Sequence, residues 1–111
     1  MTDRVEEQDE LFLSERHRKL LIELLARYVP EARVWAYGSR VSGGAHEGSD
    51  LDIVLLNEAE KEAPIDRMHE LIDAIEQSLL PMLIDVSDWS NLPEWLRGEI
   101  EQRHVVLREP G

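Results

Sequence analysis

No cysteine occurs anywhere in the 111 residues, which excludes thiol catalysis, cysteine-based zinc ribbons and a disulfide-stapled secreted scaffold together. Positive charge is scarce: twelve Lys and Arg stand against 24 Asp and Glu, a formal charge of −12. Such a surface repels phosphate backbones and argues against generic nucleic-acid binding, while attracting metal ions and a basic protein partner. Aromatics number only three Trp, two Tyr and one Phe, and no basic stripe accompanies them to make a platform for stacked bases. Long apolar runs are also missing, so no membrane span is expected. The amino-terminal MTDRVEEQDELFL is acidic where a signal peptide would be basic, and the expected location is cytoplasmic.

What remains is enough for one domain, which at this length buries roughly 60–70% of the surface of its unfolded chain. Residues 1–13 are read as a flexible acidic segment and 14–111 as a single domain. Ser14 can cap a helix whose face is Leu20, Leu21, Leu24, Leu25 and Tyr28, ending at Pro30. Val34–Tyr37 and Leu51–Leu56 read as strands. Pro64 opens a second long helix with Ile65, Met68, Leu71, Ile72, Ile75 and Leu79 on its buried face, stopping before Pro81. Met82–Ser87 is a third strand, Pro93–Gln102 a short helix with Trp95, Leu96 and Ile100 inward, and HVVLR a last strand. Helices alternating with single strands predict an α/β (α+β) fold, a small mixed sheet of about four strands flanked by helices.

The chemistry concentrates in residues 34–56, VWAYGSRVSGGAHEGSDLDIVLL, which hold four of the six glycines followed by Asp50 and Asp52. Side chains two apart on a strand point to one face, so these carboxylates can converge. Converging carboxylates repel unless a cation lies between them, and hard oxygen ligands suit Mg²⁺, with Mn²⁺ as substitute. Asp85 interrupts another apolar strand, where an unpaired charge is costly, and is a candidate third ligand. Three acids on neighbouring strands would build a two-metal clamp for in-line phosphoryl or nucleotidyl transfer. Gly38-Ser39 directly follows a strand, and a glycine there lets the backbone approach a phosphate while its N–H and the Ser39 hydroxyl donate. Arg40 either adds charge for the same phosphates or is a solvated residue at a helix start; it joins the set on the first reading. Neither a Walker A loop nor a GxGxxG fingerprint is present.

Gly38-Ser39, ten intervening residues, Asp50-Leu51-Asp52 and then Asp85 resemble the signature of the DNA polymerase β-like nucleotidyltransferase superfamily. The wording GSRVSGGAHEGSDLDIVLL and the ending IDVSDW…LPEWLRGEIEQRHVVL are more similar still to the minimal nucleotidyltransferases, over about residues 15 to 108. That resemblance implies a polymerase β-like palm. It implies nucleotide phosphates held by Gly38 and Ser39, two Mg²⁺ ions bound by Asp50 and Asp52, and Asp85 on the catalytic ion, helping to activate the attacking hydroxyl. It further implies transfer of AMP from ATP, or from another NTP, to a hydroxyl of a helical HEPN-type toxin, the chain acting as antitoxin in a hetero-oligomer. Two other functions are left open: a non-catalytic nucleotide-binding antitoxin that masks the toxin, and a small-molecule nucleotidyltransferase completed by a partner subunit.

Blander roles attach to the neighbours. Asp88 competes with Asp85 for the third acid, but its place at the end of the strand beside Trp89 fits a helix or turn cap. Ser49 can serve a carboxylate or the turn. His46 and the other histidines show no ligand spacing, and Trp35, Trp89 and Trp95 read as core or partner surface.

Overall fold

The computed structural model describes residues 11–43, 45 and 48–110. Helix α1 (Glu15–Tyr28) is capped by Ser14, whose Oγ accepts from the His17 amide at 3.2 Å. It turns Leu21 and Leu25 into the core. Strand β1 (Ala32–Tyr37) leads through Gly38 into a single helical turn, α2 (Ser39–Ser42), and β2 (Leu51–Asn57) follows the glycine loop. Then come α3 (Met68–Glu76), β3 (Ile84–Asp88), a 3₁₀ turn at Trp89–Asn91, α4 (Glu94–Gln102) and β4 (Val105–Arg108). The sheet is mixed, in the order β3-β2-β1-β4: β1 runs antiparallel to β2 and β4, and β2 parallel to β3.

The period-two alternation of the strands divides the core between two faces. Val34, Ala36, Leu51, Ile53, Leu55 and Leu107 face α1 and α3, where Leu21, Leu25, Leu71 and Ile75 meet them. Val54 and Leu56, with Trp35 and Tyr37, face the other way, toward Trp89, Leu96 and Ile100 of the 3₁₀ turn and α4. On that second face Trp35 meets Trp89 edge-on at 5.6 Å and stacks on His104 at 3.9 Å, with Lys61 lying 4.6 Å from the Trp89 ring. A strand covered on both sides must be apolar on both, which is why β2 reads almost continuously hydrophobic.

Several sequence expectations are corrected. The segment expected to be flexible up to residue 13 is docked at its end: Leu11 is buried in the core, Leu13 packs against it, and the Phe12 amide donates to the Arg40 carbonyl at 2.7 Å. Residues 1–10 lie outside the described residues, as does His46. Helix α3 starts at Met68 rather than at Pro64, because the Ile65 amide is held by Asp88 and Arg67 adopts a left-handed conformation, φ 67°. It ends at Glu76; the Ser78 hydroxyl then donates to the Ile75 carbonyl at 2.6 Å, and the turn leaves Leu79 89% exposed instead of buried. Strand β3 begins and ends later than expected, at Ile84–Asp88. Trp95 is 67% exposed, not inward. Among the described residues no helix is long and apolar enough to cross a membrane.

Candidate active site

The second face of the sheet is covered by α4 and Trp89 over most of its area, and its open end carries the acids. Strand register places Tyr37, Asp52 and Asp85 in one row: Tyr37 pairs with Asp52 across β1 and β2, and Asp52 with Asp85 across β2 and β3. Asp50 lies one residue before β2, exposed, and Asp85 is exposed on the edge strand, while Asp52 between them is half-buried. Burial raises the Asp52 pKa above the ordinary carboxylate value, and the charges of Asp85 and Asp50 raise it further. Both causes disfavour the ionised form and are relieved when a cation is brought to the carboxylates.

Gly38 closes the site from β1. It has φ 86° and ψ −157°, a conformation that is essentially restricted to glycine. A Cβ at this position would collide with the Asp52 carboxylate. The glycine therefore serves two needs, the turn out of β1 and the close seat of Asp52 against the backbone. Ser39, the first residue of α2, is exposed beside it.

Tyr37 and a cleft beyond it were not evident in the sequence. Burial raises the Tyr37 pKa, a hydrogen bond with the Ser87 side chain lowers it, and the charges of Asp52 and Asp85 raise it again, the balance being upward. The phenol therefore stays protonated next to the acids. The cleft, about 300 Å³, runs from Tyr37 and Gly38 to Leu96, Ile100, Glu99 and Arg103 of α4 and its end. The only sequence signal for Tyr37 was its place as the last strand residue before the glycine; nothing local marked the α4 residues.

Two neighbours have other work. Asp88 is buried and caps: Oδ2 accepts from the Ile65 amide at 2.9 Å, and Oδ1 from the Ser90 amide at 3.0 Å and hydroxyl at 2.8 Å. This is the capping role its position implied, and it leaves Asp85 as the acid of β3 that joins Asp52. Arg40 is neither a solvated residue nor one displayed to a phosphate: it is 4% exposed, and its guanidinium donates to the carbonyls of Ser49 and Phe12. Ser49 thus serves the loop through its carbonyl.

As they lie, no three acidic or histidine side chains among the described residues are gathered tightly enough to close around one ion. The donors nevertheless fit divalent magnesium in kind: they are all carboxylate oxygens, and Asp85 and Asp50 are near enough for their charges to act on Asp52.

Residues 19–110 match the family described as Polymerase beta, Nucleotidyltransferase. The chain belongs to that family. It is a nucleotidyltransferase, and the curated relative it matches places it in the minimal branch: the probable protein adenylyltransferase MntA of Haemophilus influenzae is 38% identical over 88 residues, covering 78% of this chain and 74% of the relative. Among solved structures, a chain in the crystal structure of a toxin-antitoxin with AMP-PNP superposes with a TM-score of 0.66 at 23% identity, over 82% of this chain and 72% of that one. At that identity the likeness bears on the fold, a polymerase β-like nucleotidyltransferase palm with a four-stranded mixed sheet.

Proposed function

We propose that this nucleotidyltransferase moves AMP from ATP to a side-chain hydroxyl of a HEPN-type toxin partner and acts as its antitoxin. The observation that carries the proposal is the row of Asp52 and Asp85 with Gly38 seated against Asp52, Asp50 standing at the same end of β2. The name of the Haemophilus relative, a protein adenylyltransferase, supports AMP as the group moved and protein as its acceptor.

In this reading the Gly38 backbone and the Ser39 hydroxyl hold the triphosphate. Asp50 and Asp52 would hold two Mg²⁺ ions and Asp85 one of them, and the ions supply charge neutralisation at the phosphates and a lowered pKa for a bound hydroxyl. The acceptor oxygen bonds to the α-phosphorus as the bond to the β-phosphate bridge breaks; pyrophosphate leaves and the hydroxyl proton passes to solvent. Asp85, on the edge strand β3 and exposed, would help to activate the incoming hydroxyl. The partner's surface would complete the site over the acids and exclude water. The charge of −12 favours docking to a basic face.

The test is mass spectrometry of the partner after incubation with ATP and Mg²⁺, using the parent and an Asp50→Ala, Asp52→Ala double variant. A gain of one or more AMP units with the parent alone is expected. Neutralisation of the toxin by the double variant, with no mass change, would replace this reading by masking through binding.

A further inference from the structure

Arg40 stands one residue beyond the Gly-Ser turn, yet its guanidinium is directed into the protein. Nε and Nη2 both donate to the Ser49 carbonyl, at 3.0 and 2.8 Å, and Nη1 donates to the Phe12 carbonyl at 2.7 Å. The Phe12 amide returns a bond to the Arg40 carbonyl at 2.7 Å, and the Phe12 ring lies 5.5 Å from the guanidinium carbon. Residues 28 apart are thus clamped reciprocally, and Leu11, buried in the core, anchors the strap behind Phe12. A buried guanidinium is costly to desolvate unless its donors are used, and a structure that commits three of them to two carbonyls gives the residue a specific task.

The Ser49 oxygen belongs to the peptide group whose nitrogen is that of Asp50. The peptide unit is planar, so two converging donors on that oxygen fix the plane in which the Asp50 Cα lies. Asp50 is exposed and precedes β2; its partner acid Asp52, by contrast, is fixed by strand pairing on both sides. The peptide after Asp50 is held by the Leu51 amide, which donates to the Leu83 carbonyl at 2.9 Å; the clamp holds the peptide before it. We infer that Arg40 is a positioning residue that holds Asp50 at the metal-binding geometry by tying the Ser49–Asp50 peptide to the strap at Phe12. Lysine cannot replace it, because a single ammonium lacks the fork that places two N–H groups on one oxygen and a third on another.

This inference rests on the proposed role of Asp50 as a metal ligand, and the experiment separates the two. Mn²⁺ is titrated, with spectroscopic detection of bound ion, into the parent, Arg40→Lys, Arg40→Gln and Asp50→Asn in the presence of AMP-PNP, with thermal melts of each. Both arginine variants are expected to weaken Mn²⁺ binding by about 10- to 100-fold, the usual scale for a residue that orients a metal ligand. AMP transfer by Arg40→Lys is expected to recover when the metal concentration is raised, with the KM for ATP little changed at saturating metal. Parent-like Mn²⁺ binding by a folded Arg40→Lys, together with weakened binding by Asp50→Asn, overturns the inference and leaves the role of Asp50 intact. Parent-like binding by Asp50→Asn overturns both. A metal-independent loss of nucleotide affinity in Arg40→Lys makes Arg40 a phosphate ligand, and unfolding of both arginine variants makes it a stability element; either result overturns the positioning role.

Discussion

Asp52 of β2 and Asp85 of β3 are direct partners across the parallel strand pair, at the spacing of neighbouring strands, about 4.8 Å between backbones. Burial first, then Asp85 and Asp50, raises the Asp52 pKa. An acid whose pKa is raised by folding binds more protons in the native state than in the unfolded one. The Asp52 contribution to metal-free stability is therefore fully present below the ordinary carboxylate pKa and is lost as pH rises through the native value. Thermal melts in chelator across this range should show the decline, Asp52→Asn should flatten it, and saturating Mg²⁺ with ATP should reverse it for the parent alone.

Gly38→Ala tests the seat of Asp52. The substitution forces a side chain into a glycine-only conformation and into the Asp52 carboxylate, and should cost about 1–3 kcal/mol of stability. Transfer should fall more than stability does, because Asp52 is displaced. A variant with parent melting and parent kcat would show that the turn tolerates a Cβ.

Asp85→Ala and Asp88→Ala separate the two acids of β3. Asp88→Ala removes the acceptor of the Ile65 and Ser90 amides, leaving a buried donor unpaired at a cost of about 1–3 kcal/mol, while the folded fraction keeps its metal-dependent transfer. Asp85→Ala should melt like the parent and lose transfer. Denaturant unfolding and single-turnover assays distinguish these outcomes; the reverse pattern would move the third acid to Asp88.

Ser39→Ala removes one donor and no carboxylate. In the proposed site it should weaken the transition state by about 1–3 kcal/mol in kcat/KM, with the metal dependence unchanged. An unaltered kcat/KM would assign the phosphate contact to the Gly38 backbone alone.

Much of this was legible in the sequence because it depends on local pattern. The nearly continuous apolar run of residues 51–56, interrupted only by Asp52, disclosed the central strand, and the spacing from Gly38-Ser39 to Asp50 and Asp52 disclosed the acidic end of the sheet. What could not be read depends on distant partners. Arg40 looked like a residue beside a phosphate loop because Phe12, the group that claims it, is 28 positions away. Pro64 looked like a helix start because the Asp88 carboxylate that holds the Ile65 amide outside a helix comes 23 residues later. Trp95 was grouped with Leu96 and Ile100 as apolar, yet the latter two are four apart and share a face, whereas Trp95 is turned about 100° around α4 from Leu96.

The parallel pairing of β2 with β3 imposes an order of assembly. Parallel neighbours cannot be joined by a hairpin, so the chain must pass through α3, across the opposite face, before Asp85 can come alongside Asp52. The antiparallel β1–β2 pair and the Gly38 turn can form from the first half of the chain alone. On the proposed reading of the site, a nascent polypeptide that has emerged only as far as α3 would carry the Gly38 turn, Asp50 and Asp52 without Asp85, and would become competent for transfer only when that long-range closure is made.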